Sequence, residues 1–186
     1  METIGKRDIR SYLCSTDSPK AVTNNQVRQD RGHQVTNFLD LATKIAALQY
    51  KNPQFVFLFR GQRTDYKNQK KNSSLKPTLF RPAPGGTSIP DAALLEQRFR
   101  VLANAERLLV EMYGRQNEFD GTLMLKRQRI LRWAILQHYE ICRTPLLDVT
   151  QSLRVAASFA SENAVDQAFI YVLGVPNISG SLTASA

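Results

Sequence analysis

One stretch limits the fold of this chain more than any other: FVFLFRGQ, Phe55 to Gln62, a continuous apolar and aromatic run that ends in Arg-Gly. It carries no helical stripe, and a run of this length and composition suits a strand buried on both faces. Arg60 then stands at the mouth of that strand, and Gly61 is read as a residue that permits a positive φ where the strand ends.

Around it the periodicities alternate between helix and strand. TNFLDLATKIAALQY from Thr36 repeats Phe38, Leu41, Ile45 and Leu48 at helical spacing, with Thr36 as the expected cap. DAALLEQRFRVLANAERLLVEMY predicts a helix capped by Asp91, with Leu95, Phe99, Leu102 and Leu109 on one face. A further helix is expected from about Leu123 to His138, its apolar side including Trp133 as a core residue. Pro145 breaks that pattern, LLDVT reads as a short strand, SLRVAASFASENA as a helix packing through Leu153, Ala156, Ala157 and Ala160, and AFIYVL as a second strand. The fold class expected is therefore α/β (α+β), with small mixed sheets packed against several helices.

Residues 1–35, poor in apolar residues and containing Ser-Pro and Asn-Asn, read as a loosely structured arm. Residues 36–176 form the expected domain, and residues 177–186 read as a flexible tail or the start of a further element. The polar, basic stretch from Gly61 to Pro90 reads as a long surface excursion.

At 186 residues one core is the default. No run of about 20 apolar residues and no apolar N-terminal segment is present, so a soluble, cytoplasmic protein with no membrane partner is expected. Cys14 and Cys142 are too few for a disulfide scaffold and offer no zinc spacing, so free thiols and no metal are expected; the pair His138 and Cys142 is a weak candidate for a Cys/His nucleophile. The net charge of +9 favours anionic partners: a nucleotide, nucleic acid or an acidic protein. The basic set Arg63, Lys67, Lys70, Lys71, Lys76 and Arg81, with Tyr66 and Phe80 among it, is a candidate nucleic-acid surface, although solvated charge on a loop is the more frequent origin of such a set.

FRGQ (Phe59–Gln62), SLKPTLFRP (Ser74–Pro82), LQHYE (Leu136–Glu140) and LLDVTQSLRVAASFA (Leu146–Ala160) together, and in this order, resemble the FRG domain. The family pattern commonly has Gly after His-Tyr and reads Pro-Thr-Arg-Leu-Leu-Asp. This chain has Glu140 after Tyr139, and Arg143-Thr144-Pro145 before Leu146-Leu147-Asp148. His138, Tyr139, Asp148 and Thr150 carry over from the pattern; a role for Arg143 does not follow from it.

A strand ending in Arg-Gly, a strand ending in a hydroxyl residue, and a small-residue helix ending in Phe-Ala are similar to ADP-ribosyltransferases, which implies a split-sheet core. In that superfamily the first-strand Arg grips NAD, a hydroxyl motif supports the pocket, and an acid on a later strand completes catalysis. The resemblance assigns the first two roles to Arg60 and to Thr150 with Ser152. A guanidinium suits the first role, because its planar fork matches a pyrophosphate and stays charged at any working pH. After Asp166 the chain has no Asp or Glu. Three alternatives stay open: the natural chain continues, an earlier acid substitutes, or the fold binds without catalysing.

The site set is thus Arg60, Gly61, Gln62, His138, Tyr139, Thr150 and Ser152, with Arg81 and Asp148 in support and no catalytic residue assigned. Each has a structural counterpart. Arg60 could tie a loop or pair with Asp148, an acid expected to lie inside an apolar strand with Arg60 or Arg81 as partner. His138 and Tyr139 could close a helix and fill the core, and Thr150 or Ser152 could cap one. Two functions follow: a nucleotide-binding domain for NAD or a relative, with ADP-ribosyl transfer or NAD cleavage as its chemistry, or a noncatalytic interaction module binding nucleic acid or an acidic protein, in phage defence or in a phage protein.

Overall fold

The computed structural model describes residues 8–11, 20–23, 29–30, 32–53, 55–68, 70–83, 86, 89–115 and 121–176. Cys14, the 177–186 tail and most of the N-terminal arm lie outside these residues. Within the arm, β1 (Asp8–Ser11) and β2 (Lys20–Thr23) pair antiparallel. The chain divides into two compact units, Met1–Ser74 with Asp148–Ala186, and Leu75–Leu147. Length alone suggested one core; the buried residues form two clusters, one within each unit.

In the first unit, the apolar run forms β3 (Phe55–Gln62), paired antiparallel along its whole length with β4 (Phe169–Pro176). Because successive side chains point to opposite faces, the two faces separate. Phe57 and Phe59 are buried with Ala156, and Ile170 and Val172 from β4 pack with them. Val56, Leu58 and Arg60 are only half-buried, so β3 is sealed on one face rather than two.

Helix α1 (Phe38–Lys51) contributes Ile45 and Leu48 to that core. Its cap is Asn37 rather than Thr36: the Asn37 side chain accepts from the Asp40 amide at 2.9 Å. Its exit into β3 is fixed by two amide side chains. Fully buried Asn52 donates from Nδ2 to Leu48 O at 2.7 Å, and Gln49 Nε2 donates to Phe55 O at 2.8 Å.

Helix α5 (Leu153–Ser161) lies on the same face of β3 through Ala156 and Ala160, each 1% exposed. The approach is possible because of Gly61. A Cβ added there would stand 1.9 Å from the Ala156 carbonyl oxygen and 2.7 Å from the Ala160 amide nitrogen. Gly61 does not have a positive φ, so the expected reason for it was wrong. The constraint is the missing side chain, not the backbone angle.

LLDVT is not a strand. One bridge joins Thr150 to Phe59, with Phe59 N donating to Thr150 O at 2.7 Å and Thr150 N to Phe59 O at 2.9 Å. Residues 146–149 run as irregular chain, in which Asp148 is exposed.

The second unit is helical. The turn at Thr78–Phe80 is 3-10, α2 spans Ala92–Arg115 and is capped by Asp91 Oδ1 on the Leu94 amide at 2.8 Å, α3 spans Thr122–Arg127, and α4 spans Arg129–His138. Leu79, Leu102 and Leu136 form its core, with Phe80, Ala105, Leu109, Trp133 and Cys142 against them. The single helix expected over 123–138 is two, because Gln128 is extended (φ −101°, ψ 100°). The carbonyls freed at the end of α3 need donors. Arg132 Nη1 supplies them, to Leu125 O at 2.8 Å and Lys126 O at 2.9 Å.

Arg132 is held in turn by Glu106, which is 7% exposed. Glu106 accepts from Arg132 Nε at 3.0 Å, from Arg129 Nε at 3.1 and 3.2 Å, and from Trp133 Nε1 at 2.7 Å, while the Arg129 guanidinium lies 4.9 Å over the Trp133 ring. Burial pushes the Glu106 carboxyl up, but the hydrogen bonds from Trp133, Arg132 and Arg129 outweigh it and hold the carboxyl below its usual value. Trp133, expected in the core, is half-buried and packs against it, with a polar partner the pattern did not show.

Two outcomes follow for stability. Gly61→Ala forces α5 off β3 and should lower stability by about 3 kcal/mol in denaturant melts; a neutral result would mean the helix can shift freely. Glu106→Gln leaves Arg132 without its counter-charge and should cost about 3 kcal/mol at neutral pH. Since the folded carboxyl titrates below the unfolded value of about 4.3, the charged form's contribution is full above that pH and lost as pH falls through the folded pKa. Acid unfolding of Glu106→Gln should therefore lack that component of the wild-type curve.

Candidate functional site

The mouth of β3 is built by three short segments of the first unit. Arg60 lies opposite Tyr171 of β4, and Gln62 lies opposite Phe169. Two residues apart on a strand, Arg60 and Gln62 share the face opposite the α5 contact. Arg60 Nη1 donates to the main-chain carbonyl of Asp148 at 2.7 Å. The anticipated Arg60–Asp148 association is therefore present through the backbone, and Asp148 is exposed rather than inside an apolar strand. Gln62 is 9% exposed, and its Oε1 is buried with no hydrogen-bond partner.

Downstream of the bridge, Thr150 Oγ1 accepts from the Ser152 amide at 3.0 Å, and Ser152 caps α5 by accepting from the Val155 amide at 3.3 Å. Both hydroxyls thus serve the turn that starts α5. That turn is tied to β3 twice, by the Thr150 bridge and by the Arg60 side chain.

A carboxylate also belongs to this region. Asp65 Oδ1 accepts from the Tyr171 hydroxyl at 2.7 Å, and Oδ2 accepts from Ser73 Oγ at 2.8 Å, with Lys67 Nζ at 3.5 Å. Burial, then the hydrogen bond to and the charge of Asp65, push the Tyr171 phenol well above its ordinary range, against smaller lowering by Ser73 and Arg60. Tyr171 is a neutral donor at any physiological pH. Sequence reasoning missed this group because Tyr171 is far from Asp65 and Ser73 in the chain, and the β3–β4 register brings it to them. Just past Gln62, Arg63, Thr64, Asn163, Val165, Asp166 and Gln167 line an open depression of about 480 Å³. Asp166, the last acid of the chain, is thereby placed beside the end of β3.

His138, Tyr139 and Arg81 belong to the second unit. His138 ends α4 and meets Tyr139 edge to face, with centroids 5.0 Å apart. Tyr139 is 67% exposed and does not fill the core. The helix closes by a Schellman arrangement: the Ile141 amide donates to Leu136 O at 2.9 Å and the Glu140 amide to Gln137 O at 3.0 Å. Glu140 sits at the left-handed position of that motif, with φ 52°. This is the position where the FRG pattern commonly has Gly.

Arg81 Nε donates to Lys76 O at 2.9 Å, tying its own loop. Phe80 packs edge-on against Phe99 at 6.3 Å and is not a free stacking surface, whereas Tyr66 is 51% exposed. Cys142 is half-buried against the second core; burial and then the Glu106 charge raise its thiol pKa, so it is not an activated nucleophile. Among the described residues, no group of three or more His, Cys, Asp or Glu side chains could hold a metal ion, and no helix is long and apolar enough to cross a membrane.

The fold is a mixed α/β domain in which an Arg-bearing strand end is closed by a small-residue helix. The family model described as FRG domain matches residues 55–168, more than half of the chain, and the protein belongs to that family. No curated protein and no solved structure matches it.

Replacing Glu140 by Gly should remove the left-handed strain of a residue with a Cβ and raise stability by about 1 kcal/mol. A thermal melt reads this directly. A fall in the midpoint would mean that the Glu140 side chain contributes more than the backbone strain costs.

Proposed function

We propose that the first unit binds a nucleotide at the mouth of β3, with Arg60 as the anion clamp, Gln62 as the acceptor for a ligand N–H group, and NAD as the candidate ligand. The observation that carries this reading is the buried Gln62 Oε1 without a partner, on the same face as Arg60. A buried acceptor without a donor costs about 1–3 kcal/mol, so a ligand N–H group that reaches Gln62 Oε1 would gain about that much. Thr150 and Ser152 support the reading by fixing the start of α5 next to the Arg60 anchor, where the helix dipole favours negative charge.

ADP-ribosyl transfer or NAD cleavage would further need a carboxylate where positive charge develops on the ribose. On this reading that acid is Asp166, at the depression beyond Gln62; Asp65 is already engaged by Tyr171, Ser73 and Lys67. The noncatalytic alternative, a basic module for nucleic acid or an acidic protein, draws on the net charge of +9.

Calorimetric titration with NAD and ADP-ribose separates the two. Saturable binding that weakens by about tenfold or more in Arg60→Lys and in Gln62→Leu, with melting midpoints near wild type, is the expected result. Lys keeps a donor for the Asp148 carbonyl but loses the fork. Absence of saturable binding, together with salt-sensitive binding of an oligonucleotide, would favour the interaction module.

A further inference from the structure

Within the second unit, the turn from Thr78 to Pro82 is gripped by two guanidinium groups, one from α2 and one from the loop after α4. Arg98 Nη1, from α2, donates to Leu79 O and to Arg81 O, each at 2.6 Å. Arg143 Nη1, from the loop after α4, donates to Thr78 O at 3.2 Å and Pro82 O at 3.4 Å. The two charges thus share one five-residue turn, and the acceptors they take from it are all neutral carbonyls. The unit's ion pairs lie elsewhere, on Glu96, Glu106 and Glu111, and none of Arg81, Arg98 and Arg143 meets a carboxylate among the described residues.

Fastening carbonyls does not require charge. Gln49 does it with a neutral amide at Phe55 O in the first unit. Two half-buried guanidiniums side by side carry a desolvation cost and a mutual repulsion that a neutral donor would avoid. Both costs register at Arg98, whose pKa is lowered by burial and then by the charge of Arg143. The arrangement is also rigid. Thr144, fully buried, donates its amide to Thr78 Oγ1 at 3.1 Å and accepts the Leu79 amide at 3.1 Å, so the residue after Arg143 is locked to the turn that Arg98 holds.

We infer that Arg98 and Arg143 form a binding site for a phosphoryl group on the second unit, their Nη1 atoms anchored on the Thr78–Pro82 carbonyls and their remaining N–H groups directed to the anion. A dianion matches two fixed guanidiniums in charge, and their planar forks match its oxygens. Pre-anchoring removes the entropy that free arginines would lose on binding. None of the residues of the proposed nucleotide site takes part, so the two sites stand or fall separately.

The test is titration of the whole chain with inorganic phosphate and with pyrophosphate at constant ionic strength, against chloride, followed by backbone-amide NMR and by the melting midpoint. Saturable shifts at residues 78–81, 98 and 143, weakened by at least about tenfold in Arg143→Gln and retained in Arg60→Lys, are expected. Gln keeps a donor for the carbonyls while removing the charge. Parallel titration with AMP tells a free phosphate from a nucleotide phosphate: tighter binding of AMP with the same shifted residues assigns the site to nucleotides, and tighter binding of phosphate assigns it to the free anion. The inference is overturned if wild type shows no saturable shift, if the shifts fall outside these residues, or if Arg143→Gln and Arg98→Gln both bind as wild type does. Should either variant fail to fold, the wild-type shift map alone decides.

Discussion

Backbone-to-backbone closeness between β3 and α5 is the constraint on which the first unit rests. With no Cβ at Gly61 and only methyl groups at Ala156 and Ala160, the helix lies on the strand at a distance no larger side chain would allow. That closeness sets the rest in place. The start of α5 falls against the edge of β3, Thr150 bridges to Phe59, and Ser152 caps the helix within reach of the Arg60 anchor. Phe-Arg-Gly is therefore a division of labour: Phe59 for the core, Arg60 for the opposite face, and Gly61 for the helix.

The second unit solves a different problem with charge. Its helices α3 and α4 are short and separated by an extended residue, so their loose ends need donors from side chains. Glu106 organises these: it holds Arg132, which satisfies α3, and it holds Trp133, which packs against the core. One buried carboxylate thus couples helix termination to packing. The exposed Glu96–Arg100 and Glu111–Arg107 pairs on α2 add only tenths of a kcal/mol each.

Much of this was legible from periodicity. Helices α1, α2 and α5 and strands β3 and β4 lie where their apolar spacing put them, and the small-residue face of α5 was readable as a packing face. The misses have physical causes. LLDVT has strand composition, but only Thr150 meets a partner, so local pattern overstated pairing. Gln128 is an ordinary helix former, and nothing in its neighbours announces the break that Arg132 stabilises from four residues on. Of the site, Arg60, Gln62, Thr150 and Ser152 fall in one unit, while His138 and Tyr139 belong to the other. Asp65 and Tyr171 could not be seen, because their meeting depends on a strand register spanning more than a hundred residues.

The short contact between β3 and the segment before α5 has one more consequence. Phe59 and Thr150 exchange both of their hydrogen bonds, so the next rung of an antiparallel ladder would pair Gly61 with Asp148. The acceptor of that rung, the Asp148 carbonyl, is instead occupied by the Arg60 side chain. A charged side chain laid across the strand's flank stops the ladder after one bridge and leaves a poor template for a foreign strand. Unpaired edges invite chains to add to one another, and inward-bent charge is among the ways natural sheets discourage it. The arginine that gives this family part of its name thereby lays charge along the open flank of the β3–β4 pair.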